Sequence, residues 1–521
     1  MRTRAQVALS SLAILIALAA ISSGRAPVPS AVESAIAQIS AGELRAHVTT
    51  LAGDAFMGRG FGHPGNRQAV FYIGDALRRA NVAPAGDSYF QLVQVYEPAL
   101  GAESRLTVTT DDGTVVADLT KGTEFYPLQE SSDTPVSGPL VSAGYGVSAP
   151  AWGHDDYGKI DAAGAIVMVN DGPPPGVNSR ITLTDDQKDG AGSLGRKIKD
   201  ARAHGAAGLL VVRDGLPDLR SEWPEHHSVR SASYRLYARM REARFGVATM
   251  ASSAAAPLRR ALGDGQPLTA RLTPGVLAVP VPMDNVIGLV QGREAEREGT
   301  VVVGAHLDHD GIDEQGQIYN GADDNASGVA AVLATAAAFA RAASGGERPL
   351  RTVVFALWNG EEQGSLGAEY YVGAPVPAAR VVANINLDMV GRNEEIPDPE
   401  DFRFRGFQRT SRQQAANVVH LLGYSYSPDL ARLVRQANAA IRLNVKEDYD
   451  RGAQHLLQRS DNWPFLEHGI PAVFLTTGLH PDYHTPADDT DRIDFGKLER
   501  IAELAARTAW LAADGAAPRL K

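Results

Sequence analysis

Along the second half of the chain, short apolar runs alternate with longer amphipathic stretches. Runs over 285–290, 300–305, 352–357, 381–387 and 472–476 have the length and composition of buried strands. Between and after them, 326–343, 365–371, 429–441 and 495–512 carry apolar residues at helical spacing. This alternation predicts an α/β fold, a mixed and mainly parallel sheet with helices on both faces. Near the start, Ile36, Ile39, Leu44, Val48 and Leu51 predict a helix over 30–51. A Gly/Pro-rich loop over 58–66 follows, then a second helix over 67–80. From 127 to 273 the pattern changes. Apolar runs over 140–147, 165–169 and 208–212 alternate with Gly- and Pro-rich turns and one helix over 195–204, which predicts an inserted small β-rich α/β domain. The stretch 394–459 reads as loop-rich around its single helix, and no internal repeat is found.

These patterns divide the chain into a leader over 1–26, an N-terminal part of the main domain over 27–126, the insert over 127–273, and the rest of the main domain over 274–521. A chain of 521 residues with 44% hydrophobic content supports more than one core. In the leader, Arg2 and Arg4 precede an apolar run over 7–21 and then small residues, the pattern of an export signal, so a periplasmic or secreted protein is expected. No later segment reads as apolar enough to cross a bilayer, and no stable membrane association is expected once the leader is removed. The net charge of -11, without a long basic run, argues against a nucleic-acid partner. Cysteine is absent, which removes disulfides, thiol catalysis and thiolate ligands together. A metal would be held by His, Asp and Glu, as in a catalytic site with open positions. The pair His226-His227 reads as surface loop, because neighbouring residues on a strand point to opposite faces.

Candidate chemistry collects where the strands end. The run 300–305 delivers His306 and Asp308 and closes on Gly321-Ala322-Asp323-Asp324-Asn325 before the next helix. The run 352–357 leads to Glu361-Glu362, 381–387 to Asp388, and 472–476 to Tyr483-His484-Thr485-Pro486. Ligands of open α/β sheets sit beyond the carboxyl ends of the strands, so four such endings at one edge predict a metal site. His306, Asp324, Glu362, Asp388 and His484 would suit two Zn²⁺ ions, with Asp324 bridging metals about 3.5–4 Å apart. Glu361, beside a ligand, is placed to be the general base. Asp308 is expected to take the second ring N–H of His306. Tyr483 is expected to donate to a developing oxyanion.

The motifs AHLDHDG, NGADDNASG, WNGEEQGSLGAEYY, NLDMVGRN, RSDNWPFLEHGIPAVF and DYHTPADD resemble those of the M28 family of di-zinc peptidases, in that family's order. The resemblance runs from about Gly42 to the last helix. It implies a zinc-exopeptidase fold, two Zn²⁺ ions, peptide substrates, and the ligands His306, Asp324, Glu362, Asp388 and His484. It also selects Asp324 over Asp323 as the bridging residue and implies a cis peptide at Asp324–Asn325. Gly144-Tyr145-Gly146-Val147 and Asp156-Tyr157-Gly158-Lys159-Ile160 resemble a protease-associated domain, implying an insert that roofs the cleft or limits which peptides enter. One departure is Asn462, where relatives often carry His.

The expectation is an exported zinc aminopeptidase. A carboxypeptidase or dipeptidase of the same fold would need a cationic patch, for which Arg392, Arg451 and Arg459 are candidates. An aminopeptidase needs a carboxylate for the substrate ammonium, from Glu361, Asp388 or the run Glu447-Asp448-Tyr449-Asp450. A glutaminyl cyclase-like acyltransferase would use one zinc, whereas His306 and Asp388 together favour two. A binding protein that had lost the chemistry would lack ligands, and here all five and Glu361 are present.

Overall fold

The computed structural model describes residues 28–150, 153–175, 192–223, 234–236, 244–294, 299–399, 401–452 and 454–521. The leader over 1–26 and the pair His226-His227 lie outside the described residues. The chain forms two compact units, one from Met1–Val93 and Pro282–Lys521 and the other from Gln94–His227 and Ser231–Val281.

In the first unit, helices α1 (Ser30–Ile36), α2 (Ala41–Leu51) and α3 (Pro64–Arg79) precede the sheet. The single helix predicted over 30–51 is therefore two. Ser40 leaves the helical conformation, and its side chain caps α2 by accepting from the Glu43 amide at 3.2 Å. The loop predicted over 58–66 is cut short by α3, which has Pro64 at its first position, where the missing N–H costs nothing.

The strands of this unit that position the site are β1 (Val276–Val290, shared with the chain crossing from the second unit), β2 (Thr300–His306), β3 (Thr352–Trp358), β4 (Val381–Leu387), β5 (Val418–Leu422), β6 (Asn444–Lys446) and β7 (Ala472–Thr476). Their order is β1-β3-β2-β4-β7-β5-β6. The centre, β3-β2-β4-β7, is parallel, while β1 against β3 and β5 against β7 are antiparallel. The sheet is thus mixed and mainly parallel at its core. Strands β5 and β6 come from the stretch read as loop-rich. Each is short, and a run such as Val418-Val419-His420-Leu421-Leu422 is broken by a His that the fold buries.

Every residue of β2, β3, β4 and β7 is buried, as expected for parallel strands covered on both faces. Alternate residues face opposite layers. Val301, Val303, Val353 and Phe355 pack with α1–α3, α4 (Gly328–Ser344), α6 (Pro428–Ile441) and α8 (Phe495–Asp514). Val302, Val354, Ala356 and Trp358 pack with α5 (Leu366–Gly373) and α7 (Asn462–Glu467). The segment Ala322–Ser344, which contains α4, is long and apolar enough to cross a membrane, contrary to the sequence reading. Its apolar surface is spent on the core, where 89% of its most apolar window is buried.

The second unit has an eight-stranded mixed sheet whose centre, Val136–Ser142, Ile166–Asn170, Gly208–Arg213 and Gly246–Ala251, is parallel. The sequence pattern places the insert over 127–273, whereas the compact unit also takes in the strands Arg105–Thr110 and Val115–Leu119. It contains a helix not foreseen, Ser252–Gly263, whose Ala-rich buried face carries a weak apolar signal. In the loop Gly144-Tyr145-Gly146-Val147, the Asp156 carboxylate accepts from the Tyr145 and Val147 amides at 3.0 and 3.1 Å. That motif is a braced turn.

In the first unit, Phe355 of β3 is fully buried with its ring 5.5 Å from that of Phe339 on α4. Phe355→Ala is expected to destabilise the fold by about 3–5 kcal/mol, read as a lower urea midpoint of unfolding.

Candidate metal centre

Chain order and spatial order diverge at β2. After β2 the chain moves to β3 on one side, then crosses to β4 on the other, leaving a crevice at the carboxyl end of β2. His306 is the last residue of β2 and is 1% exposed. Its Nε2 lies 3.3 Å from Asp324 Oδ1 and 3.3 Å from Asp388 Oδ1. On the other side of the same carboxylate, Asp324 Oδ2 lies 3.1 Å from His484 Nε2, which is 3.3 Å from Glu362 Oε2. All five sequence-predicted ligands are therefore brought together, in two sets that share Asp324.

These separations can be tested against a metal. Four ligands at the Zn–N and Zn–O distances of about 2.0–2.1 Å form a tetrahedron with edges of roughly 3.3 Å. The observed spacings match such edges. Asp388 Oδ1 is also buried without a hydrogen-bond partner, an arrangement that is costly unless something occupies its lone pairs. The donor set fits zinc.

The loop before α4 is held by its neighbours. The Asp488 carboxylate accepts from the Asp323 and Asp324 amides at 3.0–3.1 Å. Asn325 donates to the Leu387 carbonyl at 3.0 Å and accepts from the Gly328 amide at 2.9 Å. The Asp324–Asn325 peptide is cis, as the family resemblance implies. Asp323 faces away from the donor sets, accepting from the Gly391 amide at 2.6 Å with His480 Nε2 at 3.3 Å from its other oxygen. Asp388 accepts from Ser460 Oγ at 2.7 Å, and Ser460 in turn accepts from Asn386.

Asp308 has a different task from the one predicted. His306 Nδ1 lies 3.2 Å from the Asp308 backbone carbonyl and 3.9 Å from its carboxylate. The two carboxylate oxygens instead accept from the amides of Glu361 and Glu362, at 3.1 and 3.2 Å. Asp308 thus aims the Glu361-Glu362 turn, and the tautomer of His306 is set by a carbonyl. The pair separated by one residue suggested a side-chain contact, but the chain turns after β2 and carries the carboxylate toward β3.

His309 lies within the His306-Leu307-Asp308-His309 motif, whose spacing assigns it no role. It is fully buried, with Nδ1 2.8 Å from Glu362 Oε1 and its ring edge-on to His484, centroids 5.4 Å apart. It belongs to a four-residue group with Asp324, Glu362 and His484 whose ligand atoms all lie within 4.8 Å. Gly321 makes room for it, since a Cβ there would come within 2.4 Å of the His309 ring. Asp310 is a further addition, its Oδ2 3.3 Å from His484 Nδ1. Asp461 is buried near Glu361, and burial pushes its carboxyl well above the usual range.

Burial and mutual repulsion raise the proton affinity of several groups in the cluster. Burial pushes Glu361 well above the carboxylate range, reinforced by Asp461, Glu362 and Asp388. Burial likewise raises Glu362 to about 7 and Asp308 to about 6. His306 and His484 go the other way from what burial alone would do. Asp388 and Glu361 drive His306 well above its ordinary value, and Glu362 with Asp324 raises His484 to about 10. Metal binding would displace these protons. Tyr483 packs against His484 with ring centroids 4.1 Å apart and planes tilted by 44°, and burial together with the surrounding carboxylates holds its phenol well above the ordinary value, so it remains a donor.

Arg392 pairs with Asp482 at 2.8 Å, while Arg451 and Arg459 are exposed. In the acidic run, Glu447 pairs with Arg435, Asp448 lies 2.7 Å from His420 Nδ1, and Asp450 accepts from the Gly423 and Ser425 amides. Asn462 is buried and donates to the Leu457 carbonyl at 2.9 Å.

Imidazoles and carboxylates gathered at the switch point of an α/β sheet, in two sets that share one carboxylate, define a metal-dependent hydrolase. Comparison with known sequences narrows the class: residues 285–509 match the model of Peptidase family M28, and this part of the chain belongs to that family. The chain is 26% identical over 499 residues to a protein of Mycobacterium tuberculosis described as probable lipoprotein aminopeptidase LpqL, covering 89% of this chain and 84% of that one. It is 28% identical over 302 residues to a probable zinc metalloprotease of Leptosphaeria maculans, covering 51% of this chain and 67% of the relative. Among solved structures, an aminopeptidase from Aneurinibacillus sp. strain AM-1 aligns with a TM-score of 0.48 and 18% identity, covering 93% of this chain and 96% of that one.

Ser460→Ala would free one oxygen of Asp388. It is expected to weaken zinc binding about 10–100-fold, the usual consequence of removing a ligand's hydrogen-bond partner, measured by competition with a chromophoric chelator.

Proposed function

We propose that this protein is an exported zinc aminopeptidase that removes N-terminal residues from peptides, using two zinc ions held by His306, Asp324, Glu362, Asp388 and His484. The observation that carries the reading is the Asp324 carboxylate, which offers one oxygen to each donor set. Bound zinc would supply Lewis acidity and lower the pKa of water. Glu361, its Oε2 4.0 Å from His306 Nε2, takes the proton of the attacking water and returns it to the leaving amine. Burial, with Asp461, Glu362 and Asp388 beside it, holds the Glu361 carboxyl well above the ordinary range, which makes its carboxylate a stronger base. Tyr483 donates to the oxyanion that forms on the scissile carbonyl. The acidic run 447–450 is engaged by Arg435, His420 and backbone amides, and Asp388 by the metal and Ser460, which leaves Glu361 for the substrate ammonium. Arg392, fixed on Asp482, offers no free cation for a C-terminal carboxylate. Export rests on the basic and apolar pattern of residues 1–26. The second unit is read as a protease-associated domain from its Gly144–Val147 and Asp156–Ile160 motifs, which the Asp156 hydrogen bonds tie together.

The decisive experiment compares a free Leu-peptide with its N-acetylated twin, with and without chelator. Chelator-sensitive cleavage of the free peptide alone is the expected outcome. Cleavage of the blocked peptide would instead mark a carboxypeptidase or endopeptidase. Glu361→Gln is expected to retain zinc yet lose turnover by about 10²–10⁴-fold, the usual contribution of a general base; unchanged turnover would remove Glu361 from that role.

A further inference from the structure

The loop over 58–66 places an arginine where no sequence argument puts one. Arg59 is 1% exposed, and its backbone is left-handed with φ 49°. Its approach depends on Gly58, where φ is 63° and a Cβ would lie 2.4 Å from the Gly311 carbonyl oxygen. Nε donates to the Leu307 carbonyl at 2.9 Å. Nη1 donates to Leu51 and Asn320 at 2.8 and 2.7 Å, and Nη2 to Gly321 and Asp324 at 2.8 and 3.3 Å. A guanidinium has five N–H donors, and here each meets a backbone carbonyl. Four of the five carbonyls lie on the two loops that carry His306 and Asp324.

The backbone of Arg59 extends the connection to a third loop. Its carbonyl accepts from Asn66 Nδ2 at 3.0 Å, and Asn66 exchanges side-chain amide hydrogen bonds with Asn359 at 2.9 Å in each direction. Asn359 lies two residues before Glu361. Burial lowers Arg59 to about 10, opposed by the fields of Asp324, Asp488, Asp308 and Glu362, so it remains a cation at neutral pH.

We propose that Arg59 is a positioning residue for the metal centre, an internal cross-link whose planar fork fixes the spacing of the ligand-bearing loops and so sets metal affinity. Two effects of opposite sign compete. A fixed cation repels an incoming divalent ion, so losing it favours binding by charge alone. The fork also prepays the ordering of the ligands, so losing it weakens binding. The five carbonyl contacts and the absence, among the described residues, of a carboxylate in salt-bridge contact with Arg59 make ordering the larger effect.

The inference rests on the zinc reading above, but its test reads metal affinity and not peptide cleavage. Zinc dissociation constants would be measured for the wild-type chain, Arg59→Lys and Arg59→Ala by chelator competition. Lys keeps the charge but has three donors in place of the fork. Arg59→Lys is expected to bind zinc about 10-fold or more weakly, and Arg59→Ala weaker still. Millimolar guanidinium is expected to restore part of the loss in the Ala variant only. Unchanged or tighter zinc binding in Arg59→Lys would overturn the proposal, even if Arg59→Ala does not fold. A wild-type chain that binds zinc yet cleaves no peptide would sink the aminopeptidase reading and leave this comparison intact.

Discussion

The structure is governed by the problem of crowding acids into a dry crevice. Asp308, Asp324, Glu361, Glu362, Asp388 and Asp461 lie in or beside one site, with Asp461 and Asp308 wholly buried. Like charges at such distances and in low dielectric repel strongly, and desolvation adds to the cost. Four of them are accommodated by specific devices. Backbone amides face Asp308, Ser460 faces Asp388, imidazoles face Asp324 and Glu362, and the remaining charge is left for protons or cations. The rigid parallel strands exist, in this sense, to hold incompatible groups at fixed separations.

That constraint explains the division between what was legible in the sequence and what was not. The strands over 300–305, 352–357, 381–387 and 472–476 were readable because burial on both faces demands an unbroken apolar run. The residues at their carboxyl ends were readable because the α/β topology assigns that edge to ligands. Strands β5 and β6 were not, because His420 interrupts one and the other is three residues long. The break between α1 and α2 is hidden for another reason: Ile36 and Ile39 keep the helical period although the helix stops at Ile36 and Ser40 opens the next one.

Within the site, the ligand types and their order were legible, but the contacts among them were not. The sequence spacing of His306 and Asp308 suggests a side-chain pair, whereas the turn after β2 sends the carboxylate to the amides of Glu361 and Glu362. His309 and Asp310 lie in the same motif, yet their partners, Glu362 and His484, are 53 and 174 positions away. Arg59 was the least legible of all. Its contacts go to carbonyls, which leave no signature in the side-chain alphabet.

The brace from Arg59 also bears on what counts as the folding unit. The segment that matches the peptidase family begins at residue 285, yet Leu307, Asn320, Gly321 and Asp324 direct carbonyls at a side chain that enters the chain more than two hundred residues earlier. Excising 285–509 would leave those carbonyls buried without a donor and remove Asn66 from Asn359. The inherited boundary and the cooperative boundary therefore differ. During synthesis, the N-terminal strap must wait for the whole inserted unit to emerge before its partners exist, so closing this long chain loop is an entropic step on which the reactive centre depends.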